Sequence, residues 1–399
     1  MSQHHQILIV GGGNAGISVA AQLLRKKDNL DIAIIEPSDK HYYQPAWTLV
    51  GAGEFEINKT VREQQSCMPT GATWIKDAVS SFQPDDNQLT TAKGTVISYD
   101  VLIVCPGLQV DWDKIEGLRD TLGKNNVSCN YSFQHAPYTW EMIKNFKGGK
   151  AVFFFFFSPI KCGGAPHKIM YLATHYWTKM GIPYEVHYLS GAGAIFAVKE
   201  YAETLNKVVK KRHIHTHFGV NVVSIDGDAK KVFYEEKNQN GELEIKAMDF
   251  DFCHAVPSMS APDIIKHSEL KDSNNPYGYV EIDKHTMQHI RFPNVFSLGD
   301  CTNAPCSKTG AAIRKQAPVV VANVLSFMDN SPLAARYEGY SACPIPTQYG
   351  KLMLAEFDYT NTPKMSFPFD QTKPKKSMWV LKKYGLPWLY WNKILRGTA

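Results

Sequence analysis

The run Gly11-Gly12-Gly13-Asn14-Ala15-Gly16 lies between an apolar strand at residues 7–10 and a helix expected over residues 17–25. No other stretch restricts the fold so tightly. Its G-x-G-x-x-G spacing needs a sharp turn at Gly11, close approach of a phosphate to the backbone at Gly13, and tight packing of helix on strand at Gly16. A second strand, residues 31–35, ends in Glu36. That carboxylate stands about 20 residues past the last glycine, where it can accept hydrogen bonds from a ribose diol. The unit predicts an α/β fold with a Rossmann-like dinucleotide-binding domain.

The 399 residues suffice for two or three domains, and a net charge of +5 is too mild for a dedicated nucleic-acid binder. The eight cysteines are scattered, with no C-x-x-C pair and no metal-finger spacing, so no metal is expected. His213, His215 and His217 have the alternation of a metal site but read as a solvated strand face. His135 and His167 read as core or surface residues rather than proton relays. No signal or transit peptide is visible, and no apolar stretch reaches the ~18 residues a membrane span needs.

Residues 291–300 form a strand ending in Gly299-Asp300, which resembles the second FAD motif of the two-dinucleotide-binding flavoproteins. The resemblance implies FAD as cofactor, with Asp300 on the ribityl chain. A helix expected over residues 309–327 would aim its N-terminus, with Lys308 beside it, at the flavin. A second Rossmann-like unit is expected from strands at residues 150–157 and 184–189. Its first turn carries Lys161-Cys162-Gly163-Gly164 instead of a phosphate-binding glycine pattern, and no acid ends its second strand. This degenerate unit predicts an electron donor other than NAD(P)H, with a thiol working beside the flavin.

Residues 37–53, 158–172, 299–309, 339–344 and several segments from 354 to 392 together resemble the sulfide:quinone oxidoreductases, in the branch that includes the mitochondrial-type enzymes. The resemblance spans nearly the whole chain. It implies FAD contacts at Gly11, Gly13, Asn14, Ala15, Gly16, Glu36, Gln44, Val79, Asp300, Lys308, Thr309, Gly310 and Ala311. It implies a redox pair of Cys162 and Cys343, with Cys162 facing the flavin and Cys343 holding a persulfide outward. The sulfur acceptor would be sulfite, a small thiol or another sulfide. Cys162 is expected to open a helix and Cys343 to lie on an irregular turn. Cys129 is a third redox candidate, since other branches place a cysteine near there; the remaining cysteines read as structural.

The expected division is an FAD-binding domain at residues 1–113 and 285–342, a second Rossmann-like domain at 114–284, and a C-terminal quinone and membrane region at 343–399. From Lys373 onward the chain has basic, aromatic and aliphatic residues but no acid. Short amphipathic helices, interrupted at Gly385 and Pro387, fit a membrane surface. Phe357, Tyr359 and Trp391 are candidates for flanking the quinone. The expected location is peripheral on an energy-transducing membrane, taken as a bacterial plasma membrane, and self-association is compatible with it. Two alternatives stand beside this reading: an NADH:quinone oxidoreductase, and a soluble sulfide dehydrogenase with a cytochrome acceptor.

Overall fold

Two sheets, one parallel with an antiparallel edge and one wholly parallel, organise residues 3–399, which the computed structural model describes. In the first, Gln3–Val10 is flanked by Ile32–Ile35 and Val96–Val104, both parallel to it. Ala72–Ile75 extends the sheet on one side. Val295–Ser297 adds to the C-terminal half of Val96–Val104, nearly two hundred residues away in sequence. The central segments, residues 7–10, 32–35 and 101–104, are continuous runs of Ile, Val, Leu and Ala and are fully buried, as a parallel sheet covered on both faces requires, while the flanking Ala72–Ile75 strand is only partly buried. The helices Asn14–Lys26 and Gly310–Met328 pack together over this sheet.

The second sheet is five parallel strands in the order Val127–Ser128, Phe252–Val256, Gly149–Phe155, Tyr184–Ser190, Ile214–Phe218. The central strand ends at Phe155, earlier than its apolar run suggests, and the Ala165–Met180 helix begins before Lys168. An antiparallel three-stranded sheet, from Asn221 to Asp249, lies against it.

The hairpin Ser341–Gln348 and Lys351–Phe357 lies against the Ala165–Met180 helix. Ile345, Met353 and Ala355 share a core with Ile169, Met170 and Leu172. Cys343 is therefore on a strand, not on an irregular turn. Pro344 and Pro346 suggest a turn in sequence. Two residues apart, they both fall on the side of the strand that faces no partner, so their missing N–H groups cost no ladder bond.

The chain ends in one helical run from Lys376 to Ile394, part α and part π. Gly385 and Pro387 do not interrupt it. The π turns on either side shift the hydrogen-bond register, and Pro387 falls in the first turn of Leu386–Leu389, where an N–H is dispensable. Among the described residues, no helix is long and apolar enough to cross a membrane.

Candidate active site

Two glycine turns and two helix N-termini converge at the ends of the first sheet. A Cβ on Gly16 would run into the Gly11 carbonyl, so only glycine lets this helix lie so close to the strand. A Cβ on Gly13 would meet nothing within 4 Å, so the loop faces open space. Gly310 lies within reach of Asn14 and Gly299 within reach of Ala15: ideal Cβ positions there fall 3.7 Å from Asn14 Nδ2 and 3.5 Å from Ala15 Cβ. Thr309 Oγ1 caps the second helix by accepting from Ala312 N at 3.1 Å. The unpaired N–H groups of both helices thus open onto one space, which suits the phosphates of a dinucleotide.

Glu36 accepts from the backbone N–H of Gly12 and of Ser38, each at 2.8 Å. A carboxylate has about four acceptor sites, so it keeps capacity for a ribose diol. Asp300, Lys161 and Lys308 form a charged cluster at the same end. Burial pushes the Asp300 carboxyl up, opposed by the two lysines, and pushes both lysines down, opposed by Asp300. Lys308 Nζ donates to Thr302 O at 2.8 Å and sits 3.8 Å above the Tyr279 ring. Gln44 accepts from Lys161 Nζ at 2.7 Å. Val79 opens an antiparallel edge strand and is half-buried against the first core, and Ala311 lies in the first turn of its helix.

Cys162 and Cys343 form a disulfide across 181 residues, with Cα atoms 6.1 Å apart. Cys162 precedes the Ala165–Met180 helix rather than opening it. Its backbone has φ 57°, and its N–H donates to Lys308 O at 2.8 Å. That bond ties the cysteine loop to the start of the Gly310–Met328 helix. Where a dinucleotide loop would stand in the second unit, the chain instead reaches across to the first. Gly164 lets the sulfurs meet, since a Cβ there would lie 2.7 Å from Cys343 Sγ. Cys343 is fully buried and Cys162 is half-buried, so Cys343 is not the outward sulfur in this conformation. The reason is its strand position beneath the helix.

Lys168 is the functional side chain with the weakest sequence signal. It is 4% exposed, its Nζ is 2.9 Å from Cys162 Sγ, and it forms no ion pair among the described residues. Burial, with Lys382 nearby, drives its amine well below the ordinary lysine range. Only its place six residues past Cys162 hints at it in sequence, and Lys161 has an equal claim by proximity. Cys129 is outside the disulfide. It is fully buried, its Sγ accepts from Tyr131 N at 3.3 Å, and burial pushes its thiol up to about 12. His167 is fully buried among Tyr171, Tyr188 and Phe196, and its imidazole is pushed down to about 3. His135 packs on Trp112 instead.

His41 and Gln64 left no recognisable sequence signal. Gln64 Nε2 donates to Gly12 O at 2.8 Å, and His41 Nδ1 is 3.2 Å from the same oxygen. His41 Nε2 is 2.6 Å from Tyr390 OH. Burial holds His41 down at about 4, so it is neutral. With Nδ1–H donating to the carbonyl, Nε2 must accept the tyrosine proton. The C-terminal run is thereby bonded to the glycine loop.

The three aromatic candidates stand apart. Phe357 packs on Phe196, Tyr359 on Tyr337 and His285, and Trp391 on His41, Tyr43 and Arg62. Of the histidine triplet, His215 and His217 stack on His187, and Glu185 is 2.7 Å from His187 Nε2. No group of three metal-ligating side chains forms among the described residues.

The paired Rossmann-like units with a disulfide between them define a flavin-dependent disulphide oxidoreductase. The pyridine nucleotide-disulphide oxidoreductase family model matches residues 5–135. The sulfide:quinone oxidoreductase, mitochondrial, of Dictyostelium discoideum is 44% identical over 98% of this chain and 86% of its own length. The Mus musculus protein of the same name is 40% identical over 99% and 87%. The solved sulfide:quinone oxidoreductase of Aquifex aeolicus superposes with a TM-score of 0.79 over 100% of this chain and 92% of its own, at 19% identity, and shares the fold. This chain belongs to the sulfide:quinone oxidoreductase family, and its cofactor is FAD. Both curated relatives are named mitochondrial, so placement on a bacterial plasma membrane has no support.

Proposed function

We infer that this chain oxidises hydrogen sulfide at the Cys162–Cys343 pair and delivers two electrons to a quinone. The observation that carries the reading is the disulfide itself, bonded through Cys162 N to the Lys308 backbone at the mouth of the dinucleotide cleft. Asn14, Ala15, Glu36, Gln44, Asp300, Thr309 and Gly310 would hold FAD, with the glycine loop and the Gly310–Met328 N-terminus facing its charged and carbonyl groups. When bound, FAD supplies the two-electron carrier between sulfur and quinone.

HS⁻ attacks Cys343 Sγ. The Cys162–Cys343 bond breaks, Cys343 gains the new S–S bond as a persulfide, and Cys162 leaves as a thiolate holding the electron pair. The direction of cleavage follows from Lys168. Its Nζ lies beside Cys162 Sγ, and the thiolate formed there raises the lysine's affinity for a proton, giving an ammonium–thiolate pair. Because Cys343 is fully buried in this conformation, attack there requires the hairpin and the cysteine loop to part enough to admit HS⁻. Sulfite, a small thiol or a second sulfide then takes the outer sulfur and leaves Cys343 as a thiolate.

Membrane contact is assigned to the outer face of the Lys376–Ile394 run. Val380, Tyr384 and Trp388 are each more than half exposed at helical spacing, with Lys376 and Lys393 nearby. The loop that replaces a second phosphate cradle disfavours NADH as the donor. Anaerobic addition of sulfide should bleach the bound flavin, whereas NADH should not. A Cys343→Ser variant should lose sulfide-dependent quinone reduction by at least about a hundredfold. Full turnover in that variant would rule out the disulfide route.

A further inference from the structure

A cavity of about 630 Å³ lies at the far end of the Ala165–Met180 helix from the disulfide. The strand that carries Cys343 near its start contributes Thr347 and Gln348 to the cavity at its end. Lys207 and Lys211 project into it from one face of the Lys199–Lys211 helix, and Lys351 comes from the hairpin. Arg212 completes the cationic wall, the His175 imidazole lies beside it as a neutral group, and no carboxylate lines it. Among the described residues, none of the four Lys and Arg side chains forms an ion pair.

Arg212 is fixed in place by neutral acceptors only: Thr347 O at 2.7 Å, Thr174 Oγ1 at 2.9 Å, and Tyr171 O. Burial lowers its guanidinium to about 10, with no carboxylate opposing the shift. His175 Nδ1 is buried without a hydrogen-bond partner, and burial first, then Arg212, Lys179 and Lys211, push that imidazole down. The wall is a concentration of positive charge that the protein does not neutralise itself. Lys207, Lys211 and Lys351 are exposed and hydrated while Arg212 is half-buried, so the wall is an uncompensated positive field that attracts an anion.

We propose that this cavity binds a multiply charged, phosphate-bearing anion. A phosphate matches it in three ways. It carries more than one negative charge, its several oxygens can engage several cations at once, and the hydroxyl of Thr204 offers a further donor. A thiolate or hydrosulfide carries one charge on a weak acceptor. The volume is that of a small-molecule site. Pro374, on its rim, adjoins the helical run that exposes Val380, Tyr384 and Trp388, so the phosphate can belong to a soluble ester or to a lipid headgroup. The site is separate from the sulfide chemistry.

The test uses the FAD-loaded protein and a Lys207→Gln, Lys211→Gln, Lys351→Gln triple variant. Calorimetry with inorganic pyrophosphate should detect salt-sensitive binding to the wild type, weakened at least about tenfold in the variant. Sulfide-dependent flavin bleaching should be the same in both, which shows that the variant is folded and its reactive site intact. Should the triple variant not fold, Lys351→Gln alone, on the exposed end of the hairpin, serves with a smaller loss. Sedimentation with phosphatidylcholine vesicles, with and without phosphatidic acid, separates the sources. A variant that loses phosphatidic-acid-dependent binding together with pyrophosphate identifies a headgroup; one that keeps it while losing pyrophosphate identifies a soluble ester. Pyrophosphate binding that is equal in wild type and variant, or absent from both, overturns the proposal.

Discussion

Lys168 shows how one side chain can set both chemistry and stability. Its Nζ has the Cys162 sulfur at 2.9 Å and no carboxylate partner, while His167 and Lys382 are its nearest ionisable neighbours. Burial depresses its pKa, so between the folded value and the ordinary lysine value near 10.5 the unfolded chain binds more protons than the folded one. Stability therefore rises with pH across that window, and the full cost of the buried amine is present below it. A Lys168→Met substitution removes that cost. The variant should be more stable than the wild type by roughly 1–4 kcal/mol at neutral pH, with the gain shrinking as pH approaches 10. The same variant should reduce quinone with sulfide at least about a hundredfold more slowly, because the leaving thiolate has lost its cation. Thermal melts across pH together with steady-state rates check both. A variant less stable at every pH would mean that the amine is a structural donor, and unimpaired turnover would remove it from the chemistry.

Among the elements, the C-terminal helical run does more than cover the surface. Tyr390 donates to His41, which in turn holds Gly12 O, so the run braces the loop that faces the dinucleotide. Tyr390→Phe deletes one buried hydrogen bond and leaves His41 Nε2 unpaired, at a cost of about 1–3 kcal/mol. FAD retention after dialysis, read from the flavin absorbance per protein, should fall several-fold, while the sulfide reactivity of the loaded fraction stays intact. Undiminished retention would show that the brace does not bear on the cofactor. That link joins residues 349 positions apart, and no local pattern announces it. The glycine turn is different: Gly11, Gly16 and Glu36 stand within one strand–helix–strand unit, so spacing alone reveals it. The Cys162 loop was legible as a replaced phosphate loop. The Cys343 strand was not, because prolines at 344 and 346 signal a turn and only the partner strand shows that their missing donors are harmless. Gly385 and Pro387 misled in the same way, since π turns are invisible to a 3.6-residue period.

For the whole molecule, the question is how two sheets with separate cores come to act on one pair of electrons. The crossing is made at several points: the disulfide, the Cys162–Lys308 backbone bond, the Lys161–Gln44, Gly163–Ser307 and Tyr279–Pro159 bonds, the hairpin, and Leu49 and Ala52, which pack into the second core. The bonds among these gather where the strands of both sheets deliver their turns, so sulfur chemistry and the dinucleotide cleft share one mouth. Quinone is a membrane solute, so the lipid contact proposed above calls for one outward face on the molecule. Lys382 and Lys383 are unavailable for that face, being bonded to Pro45 O and to Glu54. Val380, Tyr384 and Trp388 point outward, at 53%, 62% and 56% exposure, with the exposed Lys376 and Lys393 toward the two ends of the run. Burying one large apolar side chain contributes about 1.5–3 kcal/mol, so three acting together outweigh any single surface charge nearby. Replacing all three by Ser should lower partition onto phospholipid vesicles by at least about tenfold. Turnover with a water-soluble short-chain quinone should be unchanged, since none of the three touches the sulfurs or the glycine loop, whereas turnover with a long-chain quinone in vesicles should fall with the partition. Equal loss with both quinones would instead mean that this face shapes the reactive site, and equal vesicle binding would move the lipid contact elsewhere on the molecule.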